Sequence, residues 1–275
     1  IICSWGDSIM PNYQGVWSLS AQYQNSTGWP VPPAPALVAG NNAATATIDY
    51  IDMVKTANAT DFGDLVEANR LMAALGSATR AIFAGGQASS GRSNVIQYFT
   101  FGTTGSTTDF GDLLATTNGC AGSSNNTRGL INGGYTGAYS NVIQYITIAS
   151  TGNATDFGDL TVARQDLTAM ASSTRSVVAG GITPSKSDVI DYVTIASTGN
   201  ATDFGNLLAA DQSPAGCSSP TRGIIGGGDG TGFTTNVIQY ITIASTGNAT
   251  DFGDLSQSRK ALASFSNSTF GFCRG

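Results

Sequence analysis

The chain contains no histidine and a single glutamate, Glu67. Without histidine, neither a Ser-His-Asp nor a Cys-His nucleophilic arrangement can be assembled. Charge is also scarce: 12 Lys and Arg stand against 18 Asp and Glu, together 11% of 275 residues, with a net charge of −6. No basic cluster is present, so nucleic acid, whose phosphates demand Lys and Arg, is not an expected partner. No apolar run approaches the ~18 residues of a membrane-spanning helix, so no membrane insertion is expected. Zinc has too few ligands, because the four cysteines form no C-x-x-C pair. No basic stretch precedes an apolar one at the start, so no signal peptide is expected within these residues.

What the chain has in excess is glycine, 35 residues, and a repeat. The stretch NVIQYITIASTGNATDFGDL at 141–160 returns at 188–207 and 236–255, with looser copies at 46–65 and 94–113. Its DFG[DN]L signature begins at Asp61, Asp109, Asp156, Asp203 and Asp251, with spacings of 48, 47, 47 and 48 residues. A period of this length marks one supersecondary unit whose apolar surface is buried by its neighbours. Nine of the 18 acidic residues belong to these signatures, so the negative charge is architectural first.

Residues 161–207 show the unit most clearly. TVARQDLTAMASS leads to Thr174 and Arg175; SVVAGG is a strand ending in a Gly pair; a short loop, ITPSKS, follows. DVIDYVTIAS is apolar on both alternating faces and is expected to be covered on both sides. Gly-Asn in STGNAT signals a hairpin, and ATDFGDL returns as the fourth strand. Four short strands per ~47 residues predict an all-β fold, a β-propeller of four-stranded blades. The Gly-bearing strand recurs near 40, 86, 134, 181, 228 and 275, which counts six blades; IICSWG at the start supplies a degenerate seventh in the alternative count. Residues 1–40, with all three tryptophans and five of eight prolines, read as an atypical segment that closes the ring or docks a partner, and 41–275 as the repeat array. Closure would join STFGFC to N-terminal strands such as GVWSLSAQY.

The Gly pair, the tyrosines Tyr98, Tyr145, Tyr192 and Tyr240 eleven or twelve residues on, and a fourth-strand aromatic together resemble the kelch repeat. Kelch units usually carry tryptophan at that last position; this chain has Phe62, Phe110, Phe157, Phe204 and Phe252. The fuller phrase Y-[IV]-T-I-A-S-T-G-N-A-T-D-F-G-[DN]-L resembles repeats in large structural and tail-fibre-like proteins of marine cyanophages. The resemblance spans about residues 36–275. It implies a kelch-like propeller in a phage virion or extracellular setting, present in many copies, with other virion proteins or a host-surface glycan or protein as partners. The copper site of kelch-containing galactose oxidases needs histidine ligands and cannot be built here.

The repeated polar residues have structural readings. In each DFG[DN]L, one Asp is expected to cap the turn and the other to pair with the repeated Arg80, Arg128, Arg175 or Arg222. Calcium is the alternative, since Asp156 and Asp159 and their equivalents are hard oxygen ligands; no other cofactor is implied. A kinase reading of DFG fails for want of an H-R-D loop and a lysine strand. Seven N-x-[ST] sequons occur, at Asn25, Asn58, Asn125, Asn153, Asn200, Asn248 and Asn267, and those in the repeat read as turn residues. Cys120 and Cys217 take equivalent places in their repeats and read as buried thiols. Cys3 and Cys273 would form a disulfide if the chain ends meet, implying an oxidising setting.

What varies between copies is the loop after each Gly pair. These loops are expected on one face, with Arg92, Tyr135, Tyr139, Lys186 and Phe233 as the recognition side chains, since aromatics and cations dominate contact energies. The expected function is therefore non-enzymatic: a virion or fibre protein displaying variable loops for host attachment or assembly. A secreted lectin-like propeller is the alternative, and an Asp-dependent glycoside-acting enzyme a more distant one.

Overall fold

The computed structural model describes residues 35–40, 44–52, 57–101, 103, 105–266 and 271–274, apart from the side chains of Pro35, Phe265 and residues 271–274. The expectations for residues 1–34, and the Cys3–Cys273 pairing, lie outside them. The fold is all-β, with no helix among the described residues and so none able to cross a membrane. The sheets are small and antiparallel.

The first sheet holds β1 (Pro35–Ala39), β2 (Thr45–Asp52) and β3 (Thr60–Asn69). The second holds β4 (Ala73–Gly76), β5 (Arg80–Ala84), β8 (Val95–Thr100) and β9 (Thr108–Asp112), and β6 (Gln87–Ala88) and β7 (Gly91–Arg92) form a small hairpin within its loop. The third is β10 (Ala121–Ser124), β11 (Arg128–Asn132), β12 (Val142–Thr147) and β13 (Thr155–Asp159). The fourth is β14 (Thr168–Ala171), β15 (Arg175–Ala179), β16 (Ser187–Thr194) and β17 (Thr202–Gln212), with β20 (Asp229–Gly230) added at its edge. The fifth is β18 (Ala215–Ser218), β19 (Arg222–Gly226), β21 (Val237–Thr242) and β22 (Thr250–Asp254). A last hairpin pairs β23 (Ala263–Ser266) with β24 (Gly271–Arg274). Each full sheet is thus the four-part unit expected from the repeat, in meander order.

The core lies between the sheets. Ile82, Ile96, Phe110, Ile131 and Ile146 join the second sheet to the third. Leu130, Ile143, Phe157, Val178 and Val193 join the third to the fourth, and Val177, Ile190, Phe204, Ile225 and Ile241 the fourth to the fifth. Each such buried side chain contributes about 1.5–3 kcal/mol. The third strands supply residues to both sides, which is why their sequences are apolar on both alternating faces.

The first strands touch in chain order, β4 to β10 to β14 to β18 to β23. They are bridged by hydroxyls: Ser124 Oγ donates to the Gly76 carbonyl (2.6 Å) and Ser218 Oγ to that of Ala171 (2.9 Å). A cavity of about 450 Å³ is lined by Leu37, Ala73, Ala121, Ala169, Ala215 and Ala263, one from each sheet and the last hairpin. Beside it Leu71, Asp166, Ser213 and Ala261 adopt φ of 52–55°, and Gly119 63°. Backbone bonds link these five in series: Gly119 N–H to the Leu71 carbonyl, Asp166 N–H to Gly119, Ser213 N–H to Asp166 and Ala261 N–H to Ser213.

The DFG signature is a β-bulge. Ile143 faces Gly158 and Gln144 faces Asp156, leaving Phe157 as the extra residue, and the same shift recurs in the other four copies. The bulge turns the phenylalanine inward; Phe110, Phe157 and Phe204 are all buried. The STGNAT segment forms the expected hairpin, but the loop, 148–154 in the third sheet, also serves the preceding sheet. Gly152 N–H donates to the Phe110 carbonyl (2.8 Å), Ala154 N–H to that of Asp112 (2.8 Å), and Asp112 N–H to Asn153 Oδ1 (3.0 Å). Gly199, Asn200 and Ala201 repeat this on β13, and Gly247, Asn248 and Ala249 on β17. The repeated asparagines are therefore latches between sheets as well as turn residues.

Candidate functional site

The five DFG aspartates are exposed. The capping half of their expected role is seen where Asp109 Oδ1 accepts from Gly111 N–H and Asp251 Oδ1 from Gly253 N–H, both at 3.2 Å. The arginine half differs from expectation. Arg80, Arg128, Arg175 and Arg222 lie over Tyr98, Tyr145, Tyr192 and Tyr240 at 4.3–4.6 Å from the ring centroids. Arg80, Arg128 and Arg175 also donate Nη1 to carbonyls of the following sheet, those of Ile148, Ile195 and Ile243. No ion pair joins them to the DFG aspartates among the described residues. Water solvates an exposed carboxylate well, whereas a half-buried guanidinium gains from a ring face and a carbonyl. Among the described residues no three Asp, Glu or Cys cluster so as to hold a metal ion.

Two polar groups that sequence reasoning passed over are deeply buried. Arg164 and Asp191 are 0% exposed and paired Nη2 to Oδ2, with Arg164 Nη1 donating to the carbonyls of Gly180 and Val189. Burial pushes the Asp191 carboxyl up against the opposing pull of Arg164. The available signal was that Asp191 stands where Gln97, Gln144 and Gln239 stand in other copies. Asp211 is also buried, at 3% exposure, and its Oδ1 has no hydrogen-bond partner. Burial raises its carboxyl to about 7, against backbone N–H groups and the charge of Lys186. Cys120 is a buried thiol, raised by burial to about 11, while Cys217 is half-buried, less than expected.

The loop residues separate into three groups. Arg92 of β7 is exposed and lies over the Tyr135 ring, 5.4 Å from its centroid. Tyr135 in turn meets Tyr139 edge to face at 5.8 Å. Three of the five expected recognition residues are thus brought together by loops of the second and third sheets. Lys186 is held instead by Asp229 Oδ1 (2.9 Å) and the Gly230 carbonyl (2.6 Å). Lys186 and Lys260 keep the Asp229 carboxyl below its ordinary range. Phe233 is 72% exposed in the neighbouring loop.

The Arg92–Tyr135–Tyr139 cluster combines a cation and its five donors with two half-buried ring faces. Such a group can stack on an apolar face of a ligand while hydrogen-bonding its oxygens. Compared with known proteins, the chain matches no family model and no curated protein.

Proposed function

We propose that residues 36–275 belong to a kelch-like β-propeller of six blades that serves as a non-enzymatic structural or fibre component of a phage virion. It presents its variable loops to a host-surface glycan or protein, in many copies per particle, so that weak contacts add. The radial reading is supported by the serial contact of the first strands and by the cavity that residues of every sheet line. The observation that carries the binding role is the cluster of exposed Arg92 with half-buried Tyr135 and Tyr139, set on loops whose ends are fixed by sheets. The recurrence of the DFG aspartates at the same exposed bulge in copy after copy favours architecture over catalysis, because an active site breaks a repeat's symmetry.

The test is density-gradient fractionation of the native source with mass spectrometry of the fractions. Co-sedimentation with nucleic-acid-containing particles is expected. Recovery in the soluble fraction alone would overturn the virion reading in favour of a secreted lectin-like protein using the same cluster. In either setting, Tyr135→Ala should weaken surface adsorption while costing no more than about 1–2 kcal/mol of stability, for the lost ring contacts.

A further inference from the structure

Loops of the second and third sheets set five polar and aromatic side chains side by side, and backbone pairing places them. In the β6–β7 hairpin Gln87 stands opposite Arg92, so the two side chains leave the same face. Asn118 exchanges backbone bonds with Tyr135, and Tyr135 pairs in turn with Tyr139. The two amides are tied together, Asn118 Nδ2 donating to Gln87 Oε1 at 2.8 Å, and Gln87 Nε2 donates to the Ala88 carbonyl at 3.2 Å. A ligand therefore meets groups that are already oriented, and less ordering entropy is lost on binding.

The cluster carries one charge, and it is positive. Arg92 is exposed, with its guanidinium over the Tyr135 ring and its Nη2 3.6 Å from where a β-carbon on Gly137 would stand. The ion pairs of the described residues engage Arg164, Lys186 and Lys260 instead. Glu67, the carboxylate beside the same hairpin, accepts from Ser90 Oγ (3.2 Å) and Ser93 Oγ (3.0 Å). A guanidinium presents a fork that a carboxylate or a sulfate fills with two charge-assisted bonds.

The surroundings favour a sugar over a protein. Besides Arg92, the exposed residues of these two loops are Ser89, Ser90, Thr136, Gly137 and Ala138, all small. A protein partner would need about 800 Å² with an apolar centre, whereas a small polar ligand needs an aromatic face with a few oriented polar groups around it.

We propose that this cluster is a subsite for an acidic sugar, a pyranose bearing a carboxylate or a sulfate. Arg92 holds the anion, the Gln87–Asn118 amide pair takes hydroxyls, and the tyrosines cover an apolar ring face. The inference rests on the recognition role proposed above for the same loops and narrows its ligand.

The experiment measures anisotropy of fluorescently labelled oligomers of equal length, a mannuronate, a sulfated galactose and a neutral glucose oligomer, with the full chain. Physiological ionic strength screens the distant negative charges of the chain. Saturable binding of an acidic oligomer is expected, about tenfold or more tighter than that of the neutral one; which acidic oligomer binds identifies the anion. Arg92→Gln, at an exposed position, should abolish this preference. Lys260→Gln removes the same charge outside the cluster and should keep it.

Acidic and neutral oligomers bound alike overturn the acidic assignment while leaving the loops a recognition site. Binding of none overturns it as well, and adsorption that still depends on Tyr135 would then identify a protein partner. A preference that survives Arg92→Gln, or that Lys260→Gln removes equally, overturns it because bulk charge is then the cause. Residues 1–34 bring one carboxylate, Asp7. Acidic oligomers that bind only after Asp7→Asn would show that the chain's own carboxylate takes the place assigned to the ligand, which also overturns the proposal.

Discussion

Gly111 in the fourth strand of the second sheet lies against the carbonyl of Gly152 in the third, so that a β-carbon on Gly111 would stand 2.5 Å from that oxygen. Its φ of 143° is itself a conformation that side chains disfavour. The glycine of DFG is thus required twice, by its own backbone and by its neighbour's.

These two requirements can be separated. Gly253 has nearly the same φ, 140°, but open space beside it. Gly253→Ala should cost only the backbone strain, about 1–2 kcal/mol. Gly111→Ala should cost about 1–3 kcal/mol more, for the steric overlap. Urea unfolding of the two variants measures the difference; equal losses would remove the latch from the explanation.

The phenylalanines give a parallel comparison. Phe157 is 2% exposed, and Phe157→Ala should destabilise by roughly 3–5 kcal/mol. Phe252 is 56% exposed, so its truncation should cost less than about 1 kcal/mol. Similar costs at both positions would show that Phe252 is covered in solution.

Arg128 bridges two sheets, over Tyr145 at 4.4 Å and to the Ile195 carbonyl at 2.7 Å. Arg128→Ala should cost about 1–3 kcal/mol, the sum of a stacked cation and a charge-assisted bond. Among the described residues Arg222 has the ring alone, Tyr240 at 4.3 Å, and its truncation should cost about 0.5–1 kcal/mol. A double-mutant cycle with Tyr145→Leu would apportion the Arg128 loss.

How much of this was legible follows from where each determinant lies. The strand quartets and the hairpins depend on local alternation, turn residues and period, all written along the chain, whereas the stacking of Arg92 on Tyr135, in a loop of the next sheet, was not. The partner of Arg128 was not legible. Arginine and aspartate recur with the same period, and period alone cannot say that the guanidinium turns to Tyr145 while Asp156 faces water. The role of Gly111 was hidden for the same reason: its cause is a carbonyl 41 residues away. That Lys186 meets Asp229 was not legible either, because its loop folds it there, a choice between two flexible partners that no spacing encodes.

Asp211 gives the fold a pH dependence of defined sign. Its carboxyl is raised from 3.8 to about 7 by burial, with Lys186 and Asp229 as the charged groups facing it. The folded state therefore holds a proton that the unfolded state releases. Its contribution is fully present below about pH 4 and is lost as pH rises toward 7. Asp211→Asn should stabilise by about 1–3 kcal/mol at pH 8 and change little at pH 4. Melting temperatures of both proteins across this range should converge at the acid end; parallel curves would exclude Asp211 as the titrating group.

The left-handed residues beside the cavity have a further consequence. Leu71, Gly119, Asp166, Ser213 and Ala261 are strung together by their own peptide groups, so the spacing of successive sheets at this level is fixed by backbone. The side chains they carry differ from sheet to sheet, apolar, absent, acidic or hydroxylic, with Gly119 held to glycine by Asp166 Oδ1, 2.7 Å from where its β-carbon would stand. Substitutions that tolerate a left-handed backbone can therefore change the chemistry at Leu71, Ser213 or Ala261 without altering the peptide links that space the sheets.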